Sequence, residues 1–469
     1  MTPWALELGL GALLLAVFVA TVAARGDDRR WVGGLATAGV LVLTVASFAL
    51  APAPAARGAM FVQDGLAIFA KRLFLAATFI GFLGGFSLPG LAFSRRSGEY
   101  HLLALASLLG MLVLASARDI VLLFVAFELM SIPLYVLAGF SKRDAASVEA
   151  SLKFFLVGSV SSAIMAYGLS FVYGATRTTS LAGVAPGLAA GDPLLILGLV
   201  AAFAGFGFKI AAFPFHMWVP DTYEAAPTPF VAWLSVAPKA AGFVALVRVY
   251  FEGAGPEVAR WVPLAAGLAT VTIVAGNLMA LPQQNAKRLL AYSGIAHIGY
   301  MLVGLAAASA SGTAMVLFYL VAYVFGNMGA FLVVDAVARA EGSEHLASFR
   351  GLAQRSPLLA LAMLLFLLSL GGIPFVAGFW AKLYVFWAAA AAGLYWLVLV
   401  GAILTVVALF YYLIVAKRMY IEAPATTGRV PMPRSLALAV LLCVAGVVAL
   451  GVYPKPIVMA ALRVAAPLF

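Results

Sequence analysis

Apolar residues come in long runs along this chain, and each run closes on a short polar or glycine- and proline-bearing stretch. The runs predict about fourteen membrane-spanning helices of about 20 residues each. They lie near 3–24, 31–53, 73–94, 102–117, 119–140, 149–174, 193–213, 229–251, 258–281, 287–308, 312–338, 356–390, 394–416 and 434–453. The fourth is short and reaches full length by taking in Tyr100 and His101; the twelfth is long, and GGIP at 371–374 divides it into two half-helices. The first run has no basic segment before it and is long enough to span, so it reads as a helix of the protein rather than a cleavable leader. The fold expected is an all-α polytopic membrane protein.

Composition agrees. With 65% hydrophobic and 10% charged residues and a mean hydropathy of +1.08, the chain has too little polar surface to cover a soluble globule. A net charge of +11 would point to nucleic acid in a soluble protein, but here Lys and Arg punctuate the apolar runs, so no nucleic-acid partner is expected. Odd-numbered loops carry Arg25, Arg29, Arg30, Arg95, Arg96, Lys142, Arg143, Lys287, Arg288, Arg339, Arg350, Lys417, Arg418, Arg429 and Arg434. Even-numbered loops hold little beyond Arg57, Arg118, Arg177 and Arg260, which places both termini on the non-cytoplasmic side of a bacterial inner membrane. Lys71 and Arg72 fall on the other side and are assigned to an interfacial turn before the third span. The lone Cys443 excludes a disulfide framework and a thiolate-ligated cluster within the chain.

Charge inside the bilayer marks the chemistry. Lys209 and Lys239 stand in apolar runs either side of a proline-broken hinge containing His216, Asp221 and Glu224. An intramembrane lysine costs roughly 2.5–3.5 kcal/mol on insertion scales, so two close together need a reason. Glu128 lies too deep in the fifth span to reach water, and Lys209 is its expected partner. Burial favours a neutral amine and a nearby carboxylate favours the charged one, so movement between such groups can load and unload a proton without a cofactor. Lys239 follows Pro238 in the close-packing stretch SVAPKAAGF, and Lys382 stands beyond the second helix break. Ser293, His297 and Tyr300 share one face of the tenth span, where a histidine is a competent proton carrier or a hydrogen-bonded packing residue. Tyr323 and Asn327 have a weaker claim, the hinge residues read as hinge or entry path, and Arg248 is expected to snorkel. For each of these charges the alternative role is to pin helices together.

The chain also echoes itself: YVLAG at 135–139 with YMLVG at 300–304, FFLVGSV at 154–160 with FYLVAYV at 318–324, and FPF at 213–215 with IPF at 373–375. Spans 4–8 then repeat as spans 9–13, and an odd number of spans inverts the second copy. Two inverted five-helix repeats, with broken helices at spans 7 and 12, are the pattern of an ion-translocating core with its site near the midplane. The organisation expected is 1–100 as an N-terminal three-helix segment, 101–252 and 253–420 as the repeats, and 421–469 as a C-terminal helix.

PFHMWVPDTYEAAPTP, AKRLLAYSGIAHIGY, FELMSIPLYVLAGF, LSVAPKAA and GFWAKLYVF together resemble the antiporter-like membrane subunits of respiratory complex I, most of all the subunit N branch of bacterial NADH:quinone oxidoreductase. The likeness runs from about Asp64 to about Tyr420. VPDTYE and a lysine in the twelfth span favour that branch, as does the absence of a long lateral helix after the fourteenth span. The resemblance implies that Glu128, Lys209, Lys239 and Lys382 match the family's fifth-, seventh-, eighth- and twelfth-span charges. It also implies a proton path driven by remote electron transfer, in which His297 joins the lysines. No cofactor is expected in this chain; NADH, FMN, iron–sulfur clusters and quinone belong to partner subunits. The partners implied are antiporter-like neighbours, small membrane subunits, the lipid bilayer and, indirectly, the peripheral redox arm. The alternative is a subunit of a multi-subunit sodium/proton antiporter, which shares the same core, or a structural spacer.

Overall fold

A computed structural model describes residues 3–53, 59–86, 91–424 and 426–469; Arg57 and positions 87–90 of the third expected span lie outside them. In chain order the helices used below are α1 (Ala5–Ala23), α2 (Arg30–Ser47), α3 (Gly65–Gly85), α4 (Ser97–Ser116), α5 (Ile120–Ala138), α6 (Ala145–Thr176), α7 (Pro193–Ile210), α8 (Trp218–Ala225) and α9 (Thr228–Leu234). They continue as α10 (Ala237–Leu246), α11 (Val262–Ala280), α12 (Ala286–Ala306), α13 (Ala310–Glu341), α14 (Pro357–Gly371), α15 (Ala377–Ala391), α16 (Tyr395–Tyr420), α17 (Arg434–Val452) and α18 (Lys455–Ala465). Among the described residues 13 helical segments are long and apolar enough to cross a membrane, and the half-helices α14 and α15, 15 residues each, occupy the place of the twelfth expected span. The fourth span does take in Tyr100 and His101.

Local chemistry sets the helix ends. Asp64, Asp119, Asp144, Asp192 and Asn285 each accept backbone N–H bonds from the first turn that follows them, satisfying donors that a membrane helix cannot leave bare. Two spans break where the sequence places FPF and IPF. α7 ends at Ala211 in the left-handed region, φ 67°, and α14 ends at Gly372, φ 83°. A third break was not anticipated: the eighth span parts at Ser235 and Val236, between α9 and α10. Pro238 has no N–H to give to the preceding turn, so the ladder fails there.

The paired stretches fall on corresponding elements. YVLAG and YMLVG close α5 and α12, FFLVGSV and FYLVAYV lie in α6 and α13 (each 32 residues long), and FPF and IPF follow α7 and α14. Hairpins α4–α5 and α11–α12 share a device as well: a Cβ at Gly110 would collide with the backbone of Met130, and one at Gly276 with that of Ala296. Small residues let helices close where no hydrophobic force drives them together.

The core is the run Thr228–Glu252, wholly buried over its most apolar window, together with α12 and α13, each 94% buried over theirs. Around it α1, α6, α11 and α16 turn half or more of their surface outward.

Two expectations are corrected here. Lys71 is not in an interfacial turn: α3 begins at Gly65, so Lys71 lies inside the helix, fully buried, with Nζ 2.7 Å from Glu7 Oε1 and 2.9 Å from Gln63 Oε1. Arg72 reaches back to cap α2, donating to the Ser47 carbonyl at 3.1 Å. Arg248 does not snorkel either. Its guanidinium is fully buried and forks onto Asp64 at 2.6 and 2.7 Å, onto Glu252 at 2.6 Å and onto the Ala115 carbonyl at 2.9 Å. Arg118 joins the same carboxylates, pairing with Glu252 and lying 3.5 Å from Asp64. A planar fork with four oxygens in reach is held more firmly there than in water. A short helix, α18, also follows the fourteenth span and packs against α13 and α3.

Candidate functional site

In the first half the carboxylate and the amine do not touch. Glu128, on α5, accepts a hydrogen bond from Ser162 Oγ of α6 at 2.5 Å. Lys209, in the last turn of α7, is buried, and its Nζ has no hydrogen-bond partner among the described residues. It lies over the rings of Phe127, Phe208 and Tyr135 at 5.2, 5.6 and 6.0 Å. The ion pair expected between Glu128 and Lys209 is therefore open, with the glutamate held by serine instead. The stem of Lys209 packs on Gly242 of α10, less than one turn past Lys239.

Lys239 occupies the first turn of α10, just beyond the third helix break. It is buried, with Nζ 5.3 Å from the centre of the Tyr223 ring and no hydrogen-bond partner among the described residues. Both Lys239 Nζ and Tyr323 Oη crowd over Gly294 of α12, at 3.5 and 2.9 Å from where its Cβ would stand. One turn on is His297, whose ring lies 5.2 Å from that of Tyr323.

From His297 a buried polar string, joined by hydrogen bonds and two ring contacts, runs across the second half. His297 Nδ1 meets Tyr319 Oη at 2.8 Å and Nε2 meets Tyr412 Oη at 3.2 Å. Tyr412 Oη also meets Ser293 Oγ at 2.5 Å, and its ring abuts Tyr411. Tyr411 Oη donates to Asn277 Oδ1 at 3.1 Å, and Asn277 Nδ2 donates to Tyr300 Oη at 3.3 Å. Over the Tyr300 ring, 4.7 Å from its centre, stands Lys382 Nζ, which donates to the Gly371 carbonyl at 3.2 Å. The polar groups of this string have found partners, as groups in an apolar interior must.

Ser293, His297 and Tyr300 thus converge as their spacing predicts, and Lys239 and Lys382 stand at the two ends of their network. Asn327 donates to Ser235 Oγ at 2.8 Å, bracing the third break rather than joining the string. The hinge carboxylates are tied down: Arg288 bonds Asp221 at 2.8 Å and Glu224 at 2.9 Å, and Lys153 bonds Asp221 at 3.1 Å. A cavity of about 490 Å³ opens beside them, lined by Asp144, Glu149, Lys153, Asp221, Lys287 and Glu344 among others. His216 is buried and stacks on Phe213, with its ring Nδ1 unbonded among the described residues.

Sequence reasoning missed Asn277, Tyr319, Tyr411 and Tyr412. A tyrosine in an apolar run passes for an interfacial anchor, and only register separates the two roles. The adjacent pair Tyr411 and Tyr412, well inside a 26-residue span, was the available signal.

Residues 117–408 match the family model described as NADH:quinone oxidoreductase/Mrp antiporter. The chain is 43% identical to NADH-quinone oxidoreductase subunit N of Moorella thermoacetica, covering 98% of this chain and 96% of the relative. It is 39% identical to F(420)H(2) dehydrogenase subunit N of Methanosarcina mazei, covering 98% and 97%. Its fold matches a chain of respiratory complex I from Thermus thermophilus, solved with bound aureothin, with a TM-score of 0.84 and 34% identity over 97% of this chain and 99% of that one. An all-helical polytopic chain, matched to such relatives over nearly its full length, belongs to the antiporter-like family of membrane subunits, in its NADH-quinone oxidoreductase subunit N branch.

Proposed function

We propose that this chain conducts protons as a membrane subunit of a complex I-type oxidoreductase, coupling remote electron transfer from NADH to quinone to proton movement through Glu128, Lys209, Lys239, His297 and Lys382. The observation that carries the reading is the buried row of polar groups from His297 to Lys382, linked by hydrogen bonds and by the Tyr412–Tyr411 and Tyr300–Lys382 ring contacts, with Lys239 beside Gly294 one turn before His297. Hydroxyl and imidazole groups spaced through an apolar core, with Asn277 bridging two of the hydroxyls, offer a proton the polar steps it needs to cross.

The path enters from the acidic cavity beside Asp221 on the Lys- and Arg-rich face, taken as cytoplasmic, with both termini on the opposite side. It passes Lys209 and Lys239, follows the tyrosine string to Lys382, and leaves beyond the second break. Glu128 acts as the gate: held by Ser162 it leaves Lys209 alone, and on release it pairs with the amine. Two states of different proton affinity are what coupling requires, and a fixed ion pair would do no work. The matching positions of breaks, long helices and close-approach glycines support a division into two five-span repeats, 101–252 and 253–420. Redox centres are assigned to partner subunits, and the two named relatives, one an NADH-quinone oxidoreductase subunit and one an F(420)H(2) dehydrogenase subunit, leave the donor to those partners.

The test is redox-driven proton pumping by the assembled complex in vesicles, with Lys239→Ala compared with the parent and assembly followed on a native gel. Loss of pumping in an assembled complex supports the path; unchanged pumping rejects it. Pumping that needs sodium and no electron donor would instead favour the antiporter reading.

A further inference from the structure

On the outer side of α14 a groove of about 550 Å³ runs between this half-helix and α17. Its walls are Leu358, Leu361 and Leu365 of α14 and Val440, Leu441 and Val444 of α17, of which Leu358 is 82% exposed. From Leu358 to Leu365 is roughly 10 Å of helix rise, most of the depth of one leaflet when the hydrocarbon core is about 30 Å thick.

The mouth is polar and built. Val430 N donates to Ser356 Oγ at 3.0 Å, pinning the loop before α17 to the start of α14. Two guanidiniums line the rim. Arg355 is already neutralised, 2.5 Å from Glu341 Oε1 and donating to the Gly428 carbonyl at 2.8 Å. Arg429 is exposed and has no ion-pair partner among the described residues. The rim therefore carries one uncompensated positive charge above an apolar slot, on the face whose loops hold most of the Lys and Arg residues.

We propose that this groove is a binding site for one anionic phospholipid, with its phosphate on Arg429 and an acyl chain laid between α14 and α17. Charge complementarity selects the headgroup, since juxtamembrane basic groups attract anionic lipid. The slot's apolar lining takes the chain. The site flanks the half-helix whose last carbonyl holds Lys382, so the lipid braces a segment that lacks a full span of its own.

The assembled complex, placed in nanodiscs of phosphatidylglycerol and phosphatidylcholine, tests this by cryo-electron microscopy and native mass spectrometry. The expected result is lipid density in the groove with its phosphate within ion-pair reach of Arg429. Arg429→Ala and the groove-filling Leu361→Trp should each lose it, with one fewer phosphatidylglycerol per complex, whereas Arg429→Lys keeps it. A groove filled by a helix of a neighbouring subunit overturns the proposal, as does a quinone or detergent there, or a lipid retained equally by Arg429→Ala.

Discussion

Lys382 Nζ lies 3.2 Å from the carbonyl oxygen of Gly371, the last residue of the half-helix α14. The end of a helix leaves carbonyls without intrahelical donors and gathers partial negative charge, so the break itself supplies the counter-dipole for a buried ammonium.

Gly372 holds that arrangement open. Its φ of 83° suits glycine, and an added Cβ would stand 2.9 Å from Lys382 Cδ. Gly372→Ala is expected to cost about 1–2 kcal/mol in left-handed strain and to push the lysine off the carbonyl. Pumping should fall at least severalfold with the complex still assembled, and a variant that pumps like the parent disproves the link between this contact and transport.

Ser162 donates to Glu128, and the Lys209 amine stands without a hydrogen-bond partner among the described residues. A hydrogen bond to a charged group contributes about 1.5–3 kcal/mol, so Ser162→Ala should release the carboxylate and lower coupled turnover severalfold, with Glu128→Gln lowering it further. Vesicle pumping alongside quinone reductase rate checks this; a Ser162→Ala complex with parental coupling removes the serine from the gate.

Tyr412 joins His297 to Ser293 and abuts Tyr411, so it is a series element of the string. Tyr412→Phe and Tyr319→Phe should each slow pumping, Tyr412→Phe by about tenfold if a barrier of 1.4 kcal/mol is added. On the proposed path Tyr412 and Asn277 lie in series, so Tyr412→Phe with Asn277→Leu should be hardly worse than the slower single variant. Additive losses would mean separate routes.

How far the chain could be read beforehand depends on which signals are local. Span positions, the breaks after α7 and α14 and the buried lysines follow from apolar run length, proline and charge, all legible residue by residue. The tyrosine string is not legible in that way, because Tyr319, Tyr411 and Tyr412 are ordinary span residues until folding brings Tyr319 and Tyr412 onto His297 and Tyr411 onto Asn277. Arg248 misled for the same reason: its partners Asp64, Glu252 and Ala115 come from three places in the chain, so nothing near it in sequence but Glu252 announces a buried fork. Likewise Lys71 looked interfacial because Glu7 is on another helix.

Arg248→Leu should leave Asp64 and Glu252 with Arg118 as their remaining guanidinium, a loss of at most about 3–5 kcal/mol by analogy with broken buried pairs. Arg248→Lys should recover only part of it, since an ammonium cannot fork. Thermal unfolding and yield of assembled complex are the readouts, and full stability in Arg248→Leu would show that the cluster is dispensable.

The same fork has a consequence for the order in which this protein comes into being. Asp64 and Arg248 are 184 residues apart, so at about 5–20 residues per second the carboxylate waits roughly 10–40 s for its guanidinium. During that interval the helices from α4 to α9 leave the ribosome, and the start of α3 has Glu7 and then Arg118 as partners but not yet the fork. The fork can therefore close only after the eighth span has been made, which ties the last contact at the start of α3 to the completion of the first half of the chain.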